Sequence, residues 1–353
     1  MKAKRKSRQS EETSDRFKRF GKLDKDERLR MIECVFIKYP RLRELYAKID
    51  FCREFSKISA EPECILINGT KGAGKTTLIE WYAGNFPIRE LPEKRIVPVL
   101  VVTVPSPATV KGLGSAMLKA LGDPAADKGT VSSITLRLKD YIKDCEVELI
   151  IFDEFQHFDD RQSKKVLKTV SDWLKNLINE TDVAIVLVGM PGCESVLENE
   201  GNEQLKRRFS SREHIAPFMW DTPEHIVEFR QLLKRLDDAL PLLKDSHLAD
   251  YRTAYLIHCA TDGVINYVMK LLRWAARLAI ANGVEKITES ILAEAYEERL
   301  AKEFPKRPNP FSPQLASTPR SPAKRALSPS NATNKRVKRR REKKSISDVL
   351  SHR

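Results

Sequence analysis

The chain has 353 residues, 41% of them hydrophobic, with 63 Lys and Arg against 49 Asp and Glu, a formal net charge of +14. That length supports two packed layers or two small domains plus appendages. No run reaches the ~18 apolar residues of a spanning helix, and the opening MKAKRKSRQSEETSDR has no apolar signal core, which excludes membrane-spanning and secreted classes and leaves the expectation of a soluble cytoplasmic protein. The cysteines (Cys34, Cys52, Cys64, Cys145, Cys193, Cys259) include no C-x-x-C pair, so neither a disulfide framework nor a zinc site is expected. From Lys306 to Arg353 there are 14 Lys and Arg against Glu342 and Asp348, a balance of +12 that leaves only +2 for everything before it. The basicity belongs to the tail and says little about the folded part.

In chain order, residues 1–30 are charged and poor in apolar side chains, which predicts a flexible arm or a loosely docked helix. Over 31–60, Met31, Val35, Leu42, Leu45, Tyr46 and Ile49 recur at helical spacing, with Pro40 dividing two helices. The stretch 61–220 alternates short apolar runs (CILING, VPVLVVTV, ELIIFDE, AIVLVG and HIAPF) with helical patterns such as TTLIEWYAG, TVKGLGSAMLKALG and SKKVLKTVSDWLKNLIN. Near-continuous apolar strands between helices predict an α/β core with a covered, mainly parallel sheet. From 221 to 304 every segment reads as helix, opened by an Asp/Thr cap with Pro223 and ended by a segment capped at Thr288, which gives a small all-helical lid. From 305 to 353 the text is Pro/Ser-rich and then basic, a disordered tail whose last residues, SISDVLSHR, regain apolar spacing and form a candidate docking segment.

The chemistry starts at INGTKGAGKTTLIEWY. Gly69, Thr70, Lys71, Gly72, Ala73, Gly74, Lys75, Thr76 and Thr77 follow an apolar strand and open a helix, the context of a phosphate-binding loop rather than an ordinary Gly-rich surface turn. Backbone N–H groups of such a loop face the phosphates, Lys75 reaches the β- and γ-phosphates of ATP, and the Thr76 hydroxyl binds Mg²⁺. LIIFDEF places Asp153 at a strand end, where it can organise the same Mg²⁺, and Glu154 beside it, where it can orient and deprotonate a water. A water-activating Glu points to hydrolysis rather than transfer to a metabolite. Farther on, Arg207 and Arg208 stand before Phe209, either as a basic pair on a helix surface or as the source of an arginine that completes a neighbouring subunit's site. His157 reads as packed or solvated, with contact to a neighbouring subunit as the alternative.

This order of parts resembles the AAA+ P-loop ATPases. Within them, DEFQHF, VGMPGCESVL, NEQLKRRF and TDGVINYVMKLL resemble the transposition ATPases TnsC and TniB of target-selecting transposons, CRISPR-associated ones included, over roughly Arg41 to Leu300. The resemblance implies a slow ATPase whose head-to-tail homo-oligomer, ring or filament, assembles on double-stranded DNA and connects a target-selection protein to a transposase. It also implies backbone-facing polar residues before the acidic strand, for which Lys111, Lys128 and Thr130 are the candidates, with solvated helix-end residues as the plain alternative. Two departures stand out: Gly189 replaces the polar residue that many relatives use to sense the γ-phosphate, and Gly263-Val264-Ile265-Asn266 lacks a second-sensor arginine. The basic KRVKRRREKK reads as a DNA-phosphate anchor or a partner-docking element. An origin-recognition or clamp-loader type ATPase, or a nucleotide-regulated scaffold with little turnover, remain the alternatives.

Overall fold

Three strands owe their place to apolar runs, broken only by Asn68 and Asp153 near their C-terminal ends. In the computed structural model, which describes residues 15–59, 61–158, 164–198 and 203–312, these are β1 (Ile65–Gly69), β5 (Leu149–Asp153) and β6 (Ala184–Gly189). With β4 (Val99–Thr103) and β7 (Ser211–Ile215) they form one sheet in the order β4-β5-β6-β1-β7, every pairing parallel. Successive side chains on a strand face opposite sides. Ile65, Ile67, Leu149, Ile151, Val186 and Val188 accordingly enter one core, and Leu66, Ile150, Phe152, Ile185 and Leu187 enter the other. Each buried side chain of this size is worth about 1.5–3 kcal/mol, so the central strands anchor both layers. A two-strand ribbon, β2 (Arg89–Glu90) with β3 (Arg95–Ile96), stands apart from the sheet.

The second core is covered by α4 (Val110–Leu121), α5 (Val131–Asp144) and α6 (Lys164–Thr181). The first is covered by α2 (Pro40–Ser56), α3 (Lys75–Ala83) and the lid. Pro40 sits in the first turn of α2, where its missing N–H removes nothing. The lid consists of α8 (Pro223–Ala239), α9 (Tyr251–Thr261), α10 (Ile265–Ala281) and α11 (Glu289–Arg299), with Thr222 and Thr288 capping α8 and α11. Between core and lid, α7 (Glu203–Arg208) leads into β7, so the last strand starts earlier than HIAPF suggests: Ser211 already pairs with Ile65.

Two differences from the sequence reading concern the chain's margins. Residues 15–30 are not loosely held. Phe20 is buried, Arg16 bridges to Asp237 and Asp238, and α1 (Lys25–Cys34) starts from an Asp24 capping box and sends Arg28 to Glu285 at 2.6 Å. Their few apolar side chains suffice because two buried arginines find lid carboxylates. Likewise, packed structure continues past 304 to Ser312: Phe311 is buried, Asn309 donates to the Ala293 carbonyl, and Arg307 bonds Asp262 and the Cys259 carbonyl. The remainder of the tail, with its basic run and terminal segment, lies outside the described residues. No described helix is long and apolar enough to cross a membrane.

Candidate nucleotide site

Parallel pairing brings the C-terminal ends of the strands to one edge: Thr103 is level with Asp153, and Asn68 with both Gly189 and His214. The loop from Gly69 to Gly74 leaves that edge and turns into α3. Gly72 (φ 80°) and Gly74 (φ 95°) are left-handed, a conformation that costs an L side chain about 1–2 kcal/mol. Space is closed as well, since a Cβ on Gly72 would come within 3.0 Å of Asn266 and 3.1 Å of Val264, both from the lid. The lid touches the loop directly, the Asn266 N–H donating to the Gly72 carbonyl at 3.1 Å.

Lys75 is buried, and its ammonium donates to the carbonyls of Gly69 (2.6 Å) and Thr70 (3.1 Å). Burial pulls its pKa below the usual lysine range, against the nearby Glu154 and Asp153 carboxylates, which favour the charge. Thr76 donates its hydroxyl to Asp153 at 3.2 Å, and Asp153 also accepts from the Glu154 N–H at 2.8 Å. Burial pushes the Asp153 carboxyl up, opposed by these two hydrogen bonds and the charge of Lys75. Glu154 has a positive φ of 57°, a strained turn of the kind concentrated at functional positions, and it lines the cavity.

That cavity, about 620 Å³, lies between the phosphate loop and the lid. Lys71, Ala73 and Thr77 line its loop side, Val35, Phe36, Ile37 and Tyr39 the segment before α2, and Ile265, Asn266, Met269 and Arg273 the lid. Its size and mixed apolar–polar wall suit a nucleotide. The residues also fit the ion that accompanies one: a hydroxyl and a carboxylate 3.2 Å apart at the mouth of an N–H-rich loop are hard oxygen donors of the type Mg²⁺ takes. Two turns along α10 from the segment that lacks a second-sensor arginine, Arg273 lines the cavity. Arg273 donates to the Val35 carbonyl at 3.0 Å, and its Nε is buried without a hydrogen-bond partner among the described residues.

Sequence placed Arg207 and Arg208 side by side, and the structure separates them. Arg208 is largely covered and bonds Asn179 at 3.0 Å, while its own carbonyl accepts from the Cys64 N–H. Arg207 is exposed, and its side chain makes no hydrogen bond or ion pair among the described residues. Lys111, Lys128 and Thr130 are exposed beside α4 and α5, away from the cavity lining, and the Thr130 hydroxyl caps α5 by accepting from the Ser133 N–H. His157 is tied to the Val104 carbonyl at 2.9 Å. Sequence reasoning missed Tyr39, Arg273 and a polar chain across the sheet edge in which Asn68 joins His214 of β7 to Glu194 beyond β6. Each is assembled from positions far apart in sequence, so no local signal marks them. Burial lifts the Cys52 and Cys64 thiols to about 12, and no metal-holding cluster of His, Cys, Asp and Glu occurs among the described residues.

The family model described as bacterial TniB protein matches residues 28–218. No curated protein matches the chain. Among solved structures it is similar to the Aeropyrum pernix ORC2 protein in its ADPNP–ADP complexes, at 18% identity and TM-score 0.55, covering 77% of this chain and 72% of that one. It is similar as well to Cdc6p from Pyrobaculum aerophilum, at 16% identity and TM-score 0.54, covering 78% and 72%. At these identities the likeness is one of fold, that of the AAA+ P-loop ATPases.

Proposed function

The chain belongs to the bacterial TniB family of AAA+ ATPases, and from that premise we propose that it is an ATP-dependent DNA transposition regulator that assembles on double-stranded DNA. In this reading it connects a target-selection protein to a transposase, and slow hydrolysis controls its release. One observation carries the proposal: a nucleotide-sized cavity is closed on one side by the phosphate loop and on the other by the lid, with Glu154 in its wall.

Lys75 and the N–H groups from Thr70 to Thr76 hold the phosphates of ATP. Thr76 and Asp153 hold Mg²⁺, which when bound neutralises charge developing on the phosphate oxygens. Glu154 orients a water and takes its proton as the water oxygen bonds to the γ-phosphorus. The bond from that phosphorus to the bridging oxygen breaks, and ADP leaves with the electron pair. Arg207 of an adjacent copy, whose side chain has no partner among the described residues of its own chain, meets the charge on the transferring phosphoryl group. Bound ATP then links one copy to the next, and its hydrolysis loosens them. Lys111, Lys128 and Thr130 contact DNA phosphates, few per copy, so affinity comes from the number of copies assembled.

The test is assembly on duplex DNA with ATP, followed by negative-stain microscopy and sedimentation. Lys75→Ala removes the phosphate ligand and should abolish assemblies, whereas Glu154→Gln should bind ATP and accumulate them. DNA-bound oligomers of Lys75→Ala indistinguishable from the parent's would rule out ATP as the link between copies.

A further inference from the structure

We propose that Gln156 is the positioning residue for Glu154, filling from β5 the place that a polar residue at the end of β6 would otherwise take. The assignment rests on the hydrolysis reading above and names a residue that the phosphate-loop and acidic motifs do not include.

Gln156 lies on a single 3-10 turn, Phe155–Phe158, whose two phenylalanines are fully buried, so the turn is fixed from beneath. Both ends of its amide are engaged. The NH₂ group donates to one carboxylate oxygen of Glu154, and the carbonyl accepts from the Met190 N–H at 2.9 Å. Met190 is the first residue after β6 and lines the same cavity as Glu154. Gly189 makes room for this arrangement, because a Cβ there would stand 3.1 Å from the Gln156 carbonyl oxygen and 3.0 Å from Cys193. The absence of a polar side chain at 189 therefore has a physical counterpart: the space is taken by an amide arriving from the neighbouring strand. With one Glu154 oxygen held, the other is left to meet water. The Gln156 amide, itself fixed by the Met190 N–H, is thus the donor that decides where the Glu154 carboxylate points.

Two substitutions separate positioning from bracing. Gln156→Ala removes both hydrogen bonds. Gln156→Glu keeps the acceptor for the Met190 N–H and removes the donor to Glu154, placing a carboxylate against a carboxylate. Steady-state ATP turnover and ATP affinity, measured separately, should show both variants losing about tenfold or more in kcat while the Kd for ATP stays within about threefold, the pattern of a misplaced reacting group. Melting temperatures should stay level with the parent. Parent-like turnover in Gln156→Glu would mean that only the bond to Met190 matters and would overturn the assignment, as would a loss of ATP affinity as large as the loss of turnover. A parent protein with no ATP turnover would bring down the hydrolysis reading and this assignment together, an outcome distinct from variants that turn over normally.

Discussion

Two glycines with the same backbone angle offer a controlled measurement of how the lid is joined to the core. Gly263 and Gly283 both have φ 68°, so alanine pays the same left-handed penalty at each, about 1–2 kcal/mol. Around Gly283 nothing lies within 4 Å of an added Cβ. At Gly263 the Cβ would fall 1.8 Å from the Phe218 carbonyl oxygen, on backbone that cannot be pushed aside as a flexible side chain can. The Phe218 N–H also donates to the Gly263 carbonyl at 2.9 Å, and relieving the overlap breaks that bond and strands a donor, a further 1–3 kcal/mol by the usual cost of about that size for an unsatisfied buried group. Strain in the packing around Phe218 adds roughly 1 kcal/mol. Gly263→Ala should therefore lose about 3–6 kcal/mol against about 1–2 for Gly283→Ala, read from urea midpoints at fixed slope. Phe218 packs edge-on against Tyr39, with ring centroids 5.2 Å apart, and Tyr39 lines the cavity. Gly263→Ala should accordingly bind ATP about tenfold more weakly, the equivalent of about 1.4 kcal/mol of lost wall contact, with Gly283→Ala unchanged. Equal midpoints for the two variants would refute the claim that overlap with Phe218, rather than backbone angle, fixes the glycine.

Arg207→Ala should lower ATP turnover by about 10³-fold or more with ATP affinity retained, as for a charge-stabilising arginine. Arg208→Ala should show instead a lowered melting temperature, because it loses the bond to Asn179; a mixture of Arg207→Ala and Glu154→Gln proteins should recover part of the turnover if the arginine acts between copies. Phe311→Ala should destabilise the lid by about 3–5 kcal/mol in a denaturant titration, the cost of emptying a buried aromatic site, whereas a residue in a loose tail would cost nothing. Burial holds the His258 ring below its usual 6.5 while its Nε2–H donates to the Phe218 carbonyl at 2.9 Å. The unfolded ring then takes up a proton that the folded ring refuses, so this contribution to stability is complete above about pH 6.5 and is lost as pH falls toward the lowered value. His258→Gln keeps a donor and should remove that acid-side loss from midpoints compared at about pH 8 and about pH 5.5.

What could be read from sequence divides along physical lines. The phosphate loop, Asp153 and Glu154 were legible because local constraints create them: glycines where φ must be positive, an apolar run that fixes where the strand ends, and acidic residues at that end. Helix starts at Pro40, Thr222 and Thr288 were legible for the same reason, since the fixed φ of a first-turn proline and the capping bond of a threonine are both local. Gln156 was not, because its role depends on a backbone N–H 34 residues away that only the β5–β6 pairing brings near. The choice between Arg207 and Arg208 was not, because it turns on whether Asn179 of α6 lies within reach. The packed stretch 305–312 was misread because Pro and charge dominate its composition, while one buried Phe and two bonds from Arg307 hold it in place.

The bond from the Asn266 N–H to the Gly72 carbonyl makes the lid part of the grip on the phosphates. Any tug that swings α10 outward is transmitted to the loop through that peptide and the neighbouring side chains of Val264, Ile265 and Asn266, and under the proposed function the residence time of the nucleotide would become a gauge of mechanical load. Under the proposed function, a binding partner that engages only the helices, without reaching the cavity, would in this way set how quickly an assembly comes apart.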